Sequence, residues 1–146
     1  MKKKVILLSI IPFIIDQLIK IIVSLNVKVN ITLIPNILDI TYVTNTGAAW
    51  SILDNHIVII SFISAAAIIF LLSYMNHFKL NKRNKLAFIL LFGGILSNLF
   101  DRVFYGHVID YIELHINYPI FNLADTFIVV GILLIIIAII KKEDDV

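Results

Sequence analysis

The residues able to do chemistry gather between Asn98 and Asp125, in the stretch NLFDRVFYGHVIDYIELHINYPIFNLAD. It holds Asp101, Asp110, Glu113 and Asp125, four of the chain's ten acidic residues, together with Arg102, His107 and His115. Apolar runs long enough to cross a bilayer lie on both sides. Ionisable groups beside hydrocarbon are costly, so their first reading is functional. Two carboxylates brought close cannot both ionise comfortably. One keeps a proton, and the pair then offers a base and an acid together. That is what activating water against a peptide carbonyl needs, without a covalent intermediate. Asp110 and Asp125 are the expected pair. Asp110 stands just outside the third apolar run. Asp125 is the fifth residue of the fourth, about 6 Å below its start at ~1.5 Å per residue. If those two runs are neighbours, both carboxylates converge at one depth.

The other polar residues divide between structural and functional readings. Asp16 and Lys20 stand four apart and can pair along one helical face, as an ion pair anchoring the helix or as support for the site. Asn98 and Asp101 share a face three residues apart, either as a brace or as a contact to substrate. Arg102 can bind a carboxylate, a phosphate or a peptide carbonyl. Asn122 precedes Asp125 by three residues and shares its face. Glu113 is a substitute member of the pair. Asp39 and Asp54 read as solvated or turn residues. His107 and His115 read as interfacial polar residues. With Asp110 and Asp125 they could ligate a metal, but no H-E-x-x-H spacing is present, so no metal or other cofactor is expected. The chain has no Cys, which removes thiolate chemistry. Its outer-side serines lack a base, which makes serine chemistry the poorer proposal. A small proton-coupled carrier or channel subunit would use the same acids and stands as the alternative.

These side chains must be positioned by membrane-spanning elements. Of 146 residues, 60% are hydrophobic and 15% charged, and mean hydropathy is +1.01. That composition excludes an ordinary soluble domain. No basic stripe interleaved with aromatics suggests nucleic acid. Four segments have near-spanning length, at about 5–25, 57–74, 86–104 and 121–140. They form one membrane-embedded domain over residues 1–146. The N-terminus resembles a signal peptide, but no small-residue cleavage site follows, and it is read as a retained first span. Nine of the twelve Lys and Arg residues fall before span one, between spans two and three, or after span four. The positive-inside rule then places both termini in the cytoplasm, with 26–56 and 105–120 facing outward. Within the first outer segment, Ile31–Ile34 and Leu38–Val43 flank Pro35-Asn36 and predict two short strands. Trp50 is expected at headgroup level. The fold class is therefore an all-α integral membrane protein with four transmembrane helices and a small outward-facing β-sheet between helices 1 and 2. The acidic end, Glu143-Asp144-Asp145, reads as a solvated tail.

Five blocks, in order, carry a resemblance to a family. Asp16-Gln17-Leu18-Ile19-Lys20 resembles a D-Q-x-x-K block. Asn45-Thr46-Gly47-Ala48-Ala49-Trp50 matches N-T-G-A-A-[FW]. Residues Gly93 to Arg102 resemble G-G-x-x-G-N-x-x-D-R. Gly106 to Ile112 resemble G-x-V-x-D-F-I, and Phe121 to Asp125 match F-N-x-A-D. Together they resemble the bacterial lipoprotein signal peptidases, signal peptidase II, over nearly the whole chain. The resemblance implies a membrane aspartic endopeptidase that removes the signal peptide from prolipoproteins, cutting before a diacylglyceryl-modified Cys. It implies a multi-pass protein of the bacterial cytoplasmic membrane with its site near the outer face. The partners it implies are lipidated prolipoproteins and membrane lipid, and the chain is expected to be a monomer. The catalytic pair carries over to Asp110 and Asp125. Asn45, Gly47, Asn98, Arg102 and Asn122 fall where the family binds substrate or shapes the site, and Asp16, Lys20 and Asp101 on supporting positions. Ser97 and Tyr111 depart from the pattern, replacing Gly and Phe, and Ser97 is expected to crowd a small-residue helix contact.

Overall fold

The computed structural model describes residues 1–26, 30–47, 55–116 and 118–141. The element order is α1 (Lys2–Leu8), α2 (Ile10–Asn26), β1 (Ile31–Ile34), β2 (Leu38–Asn45), α3 (Ile57–Tyr74), α4 (Lys82–Tyr105), β3 (Val108–Leu114) and α5 (Leu123–Ile140). A 3-10 turn, Met75–His77, follows α3. Four helical units are long and apolar enough to cross a membrane: Lys2–Asn26, Ile57–His77, Lys82–Tyr105 and Leu123–Ile140. The third begins earlier than the apolar pattern alone suggests, because Asn81 caps it by accepting from the Asn84 N–H at 2.9 Å. Trp50, Asp54, Lys28 and the acidic tail lie outside the described residues.

The helices are built for lipid rather than water. In α2 the buried residues are Pro12, Asp16, Gln17, Lys20 and Val23, which share one face. Ile11, Ile14, Ile15, Leu18 and Ile22 on the other faces are exposed. This inverts the pattern of a soluble amphipathic helix. Polar groups in hydrocarbon must turn inward to find partners, and the branched aliphatics are left for the acyl chains. α4 is the axis of the bundle and packs against α1, α2, α3 and α5. Its buried stripe changes character along its length: Ala87, Phe88, Leu91 and Phe92, then Gly93 and Gly94, then Ser97, Asn98 and Asp101. One apolar cluster, Val5, Met75, Phe78, Phe88, Phe92 and Ala138, closes the lysine-rich end. A second, Val23, Ile109 and Tyr111, lies under the sheet.

The sheet is three-stranded and antiparallel, ordered β1-β2-β3. This corrects the expectation of a sheet formed only between the first two spans. Its third strand comes from the segment between the third and fourth, and it carries Asp110. Gly106 makes this possible. It ends α4 in the left-handed region at φ 73°, which a glycine adopts at no steric cost, and the chain turns at once into β3. Beyond β3 the chain folds back. Phe121 pairs with Ile112, its carbonyl accepting from the Tyr111 N–H at 3.0 Å and the Ile112 N–H at 2.7 Å. The return sets Asn122 beside Asp110 at the point where α5 begins.

Candidate active site

Asp110 and Asp125 are held by amides from three directions. Asp110, on β3, is 3% exposed. One of its oxygens accepts from Asn45 Nδ2 at 2.8 Å, the other from Asn122 Nδ2 at 2.6 Å. Asn45 ends β2 and is turned inward by its own Oδ1, which accepts from the Gly47 N–H at 2.9 Å. For Asp125, one oxygen accepts from Asn98 Nδ2 at 2.8 Å and the other from the Asn122 backbone N–H at 3.2 Å. Asn122 therefore touches both carboxyl groups. It is also the N-cap of α5, its Oδ1 accepting from the Asp125 N–H at 2.9 Å in a reciprocal capping box.

This corrects the placement of Asp125. The fourth helix starts at Leu123, so Asp125 belongs to its first turn and not to a level one turn deeper. Asn122 precedes the helix as its cap instead of sharing a helical face. Apolar run length alone extends the helix back to Phe121, but Phe121 is engaged by β3.

Burial is the largest influence on the Asp110 carboxyl, and it pushes its pKa up to about 6. The Asn45 and Asn122 donors pull the other way, and the charge of Asp125 adds to the rise. Arg102, half-buried on α4, donates to the Gly47 carbonyl at 3.2 Å and to the Asn98 carbonyl at 3.4 Å. Of its three possible partners it uses peptide carbonyls. Its Nε is buried without a hydrogen-bond partner among the described residues.

Below the pair lies a buried ionic cluster. The Lys20 ammonium is 2.7 Å from Asp16 Oδ2 and 2.7 Å from Asp101 Oδ2, and donates to Asn98 Oδ1 at 2.9 Å. Asp16 and Asp101 are both 0% exposed, and Lys20 is 1% exposed. Gln17 donates to Asp101 Oδ1 at 2.7 Å. Asp16 also receives the Ala124 N–H, at 3.1 Å, from the first turn of α5.

Amide-wrapped paired carboxylates beside a buried ionic cluster can be weighed against known proteins. The model of the family described as Signal peptidase (SPase) II matches residues 8–141. The chain belongs to the signal peptidase II family. A lipoprotein signal peptidase of Clostridium acetobutylicum is 40% identical, over 79% of this chain and 78% of that protein. One of Staphylococcus haemolyticus is 38% identical, over 99% and 98% respectively. A solved bacterial membrane enzyme, determined by the in meso method at 2.3 Å resolution, superposes with TM-score 0.77 at 35% identity, covering 95% of this chain and 88% of that one. Membership in signal peptidase II makes the chain a membrane protease of the aspartic class and sets the carrier reading aside.

The residues singled out by type and spacing meet in one region. Asn45, Gly47, Asn98, Arg102 and Asn122 stand around Asp110 and Asp125, and Asp16, Lys20 and Asp101 stand beneath. Asp101 partners Gln17 and Lys20, and meets Asn98 only through the shared lysine. Glu113 is placed elsewhere, opposite Asp39 along the sheet. Asp39 is not solvated. It is 8% exposed and 3.1 Å from His115 Nε2. Three contributors were missed. Gln17 was legible only as a motif letter. Ser97 does not crowd the helix contact: it is fully buried and its Oγ donates to Asp16 Oδ2 at 2.6 Å. Tyr111 donates its hydroxyl to Asp16 Oδ1 at 3.2 Å and accepts the Leu123 N–H at 3.1 Å. Both departures from the family pattern thus add a hydroxyl aimed at the same carboxylate, a convergence visible only once three elements are packed together.

Proposed function

We propose that this chain removes the signal peptide from prolipoproteins, cutting before a diacylglyceryl-modified Cys, with Asp110 and Asp125 activating the attacking water. The observation that carries the reading is the sharing of Asn122: one residue donates to both carboxyl groups, so they face a common space and feel each other's charge. In the reaction one carboxylate takes a proton from water while the other protonates the scissile carbonyl. The tetrahedral intermediate then collapses, and a proton passes to the leaving amine. Such a pair holds one proton between its members. The Nε of Arg102, without a hydrogen-bond partner among the described residues, and the Asn45–Gly47 turn are available to position the substrate backbone.

The chain lies in the bacterial cytoplasmic membrane with both termini and the 78–85 segment cytoplasmic, and with the sheet and the pair at the outer face. The Lys and Arg bias supports this orientation. It lets the lipid of the substrate stay in the outer leaflet while the peptide reaches the carboxylates. The test is a lipidated prolipoprotein peptide incubated with the purified protein. Asp110→Asn and Asp125→Asn are each expected to lose cleavage by at least ~100-fold while accumulating at normal levels. Full activity in either variant would remove it from the catalytic pair.

A further inference from the structure

The proposed chemistry gives no step to the buried ammonium of Lys20. Lys20 is 1% exposed, on the buried face of α2. A buried ion pair is weak evidence for stability, since well-packed apolar residues do as well. Its donors show a different use. The ammonium donates to Asn98 Oδ1 at 2.9 Å and is in ion-pair contact with Asp16 Oδ2 and Asp101 Oδ2, each at 2.7 Å. The two carboxylates and the one ammonium leave the cluster with a single negative charge. Asp16 is fully supplied as an anion, with Tyr111, Ser97 and the Ala124 N–H also donating to it.

Asn98 connects this cluster to the reacting groups. A side-chain amide is ambivalent, and turned over it would present its oxygen to Asp125, carboxylate against carbonyl. An ammonium is not ambivalent, because it only donates. With Lys20 at 2.9 Å and Asn122 Nδ2 at 3.2 Å, the Asn98 oxygen is claimed twice on the side away from Asp125. Its N–H must then point to Asp125 Oδ1, at 2.8 Å. Asp125 also stands in the first turn of α5, where the helix end favours an anion. Asp110 stands on a strand and has no helix end behind it.

We propose that Lys20 is a positioning residue for the pair, acting through Asn98: its ammonium fixes the amide that keeps Asp125 as the carboxylate, so that Asp125 takes the proton of the attacking water and Asp110 supplies the proton to the scissile carbonyl. The inference rests on the reading of Asp110 and Asp125 as the catalytic pair. In the first step a water O–H bond breaks, its proton goes to Asp125, and the new C–O bond forms. The carbonyl π electrons take the Asp110 proton. In the second step the C–N bond breaks, the nitrogen takes the proton from Asp125, and Asp110 recovers a proton from the intermediate's hydroxyl as the carbonyl re-forms. The pair ends as it began. The other groups around it are Arg102 on α4, Tyr111 on β3, and the ionic partners Asp16 and Asp101.

The test uses the full chain in detergent with the lipidated peptide. Lys20→Met combined with Asp101→Asn keeps the buried charge at minus one, and Asp101→Asn alone is its control. The double variant is expected to lose about 10- to 100-fold in kcat with KM little changed. The acid limb of its kcat–pH profile should move upward by about one unit, since the Asn98 N–H is no longer held toward Asp125 and the ionised form loses that donor. The control loses a buried negative charge and keeps the cation, so its acid limb should not move upward. A folded double variant with wild-type kcat and acid limb, or a control that shifts upward as far as the double variant, would overturn the role. Should the double variant fail to fold, Lys20→Arg decides. It retains a donor-only cation and is expected to keep the acid limb in place, and a limb displaced by a unit would overturn the proposal. Failure of this inference is distinguishable from failure of the catalytic reading, which only activity in Asp110→Asn or Asp125→Asn would show.

Discussion

Asp110 combines near-complete burial with two short amide donors, and burial prevails over the donors. Its pKa of about 6 stands above that of an unfolded-chain carboxylate, so the folded state holds this proton more tightly. The sign follows. The group's contribution to stability is fully present below about pH 4 and is lost as pH rises through about 6, to a cost on the order of 3 kcal/mol at pH 7. Thermal denaturation should show it. The Tm of Asp110→Asn relative to the unmutated protein should rise between pH 4 and pH 7, whatever offset the lost amide contacts impose at pH 4. A flat difference would mean that Asp110 titrates as an exposed acid. In the proposed mechanism the same proton goes to the scissile carbonyl, so kcat/KM should bend downward as pH passes about 6, measured with the lipidated peptide. The candidacy of Asp110 was legible from residue type and from its place beside an apolar run. Its three-sided enclosure by Asn45, Asn122 and Asp125 was not, because those residues lie 65, 12 and 15 positions away along the chain.

At the scale of elements, the site depends on how closely α4 and α5 approach. A Cβ on Gly94 would lie 2.6 Å from the Ala124 carbonyl oxygen, in the backbone turn that carries Asp125. A Cβ on Gly131, further along α5, would meet the Leu91 side chain at 2.6 Å and the Ala87 carbonyl at 3.0 Å. Both alanine substitutions overpack the interface and should destabilise by about 1–3 kcal/mol. They should differ in activity. Gly94→Ala displaces Asp125 from Asn98 and is expected to lower kcat about 100-fold, whereas Gly131→Ala should leave the kcat of folded protein nearly unchanged. Equal kcat in the two variants would contradict the geometry. The helices and the first two strands were legible because each rests on local patterning: apolar run length, and the Pro35-Asn36 turn between alternating segments. β3 was harder to read. Val108 to Leu114 follows directly on a span, and its first four residues are all buried, which hides the period-two alternation of a half-exposed strand.

For the whole molecule, the charges separate along the bundle. Lys2, Lys3 and Lys4 begin α1 and Lys82, Arg83 and Lys85 begin α4, while the carboxylates from Asp16 to Asp125 gather toward the other end with the sheet. If that asymmetry sets the orientation, the turn at Ile37 faces outward and Lys82 faces the cytoplasm. Because the chain has no Cys, single cysteines report this cleanly. In intact cells a membrane-impermeant maleimide should label Ile37→Cys at once and Lys82→Cys only after permeabilisation. The reverse pattern would invert the topology and place the carboxylates on the wrong side for a translocated substrate.

Composition and run length determined that this chain lives in a membrane and roughly where it crosses, because hydrocarbon thickness imposes a length on every span regardless of its neighbours. Five short blocks in order carried the resemblance to the family, because so many fixed residue types at fixed spacings seldom coincide by chance. Tertiary structure alone decided how Asp110 and Asp125 meet. That required Gly106 to turn α4 into a strand, Phe121 to pair back onto that strand, and Asn122 to cap α5 while donating to both carboxyl groups. It also decided that Lys20, Ser97 and Tyr111 converge beneath them. Such convergence joins residues of four separate elements, and no periodicity within any one of them encodes it.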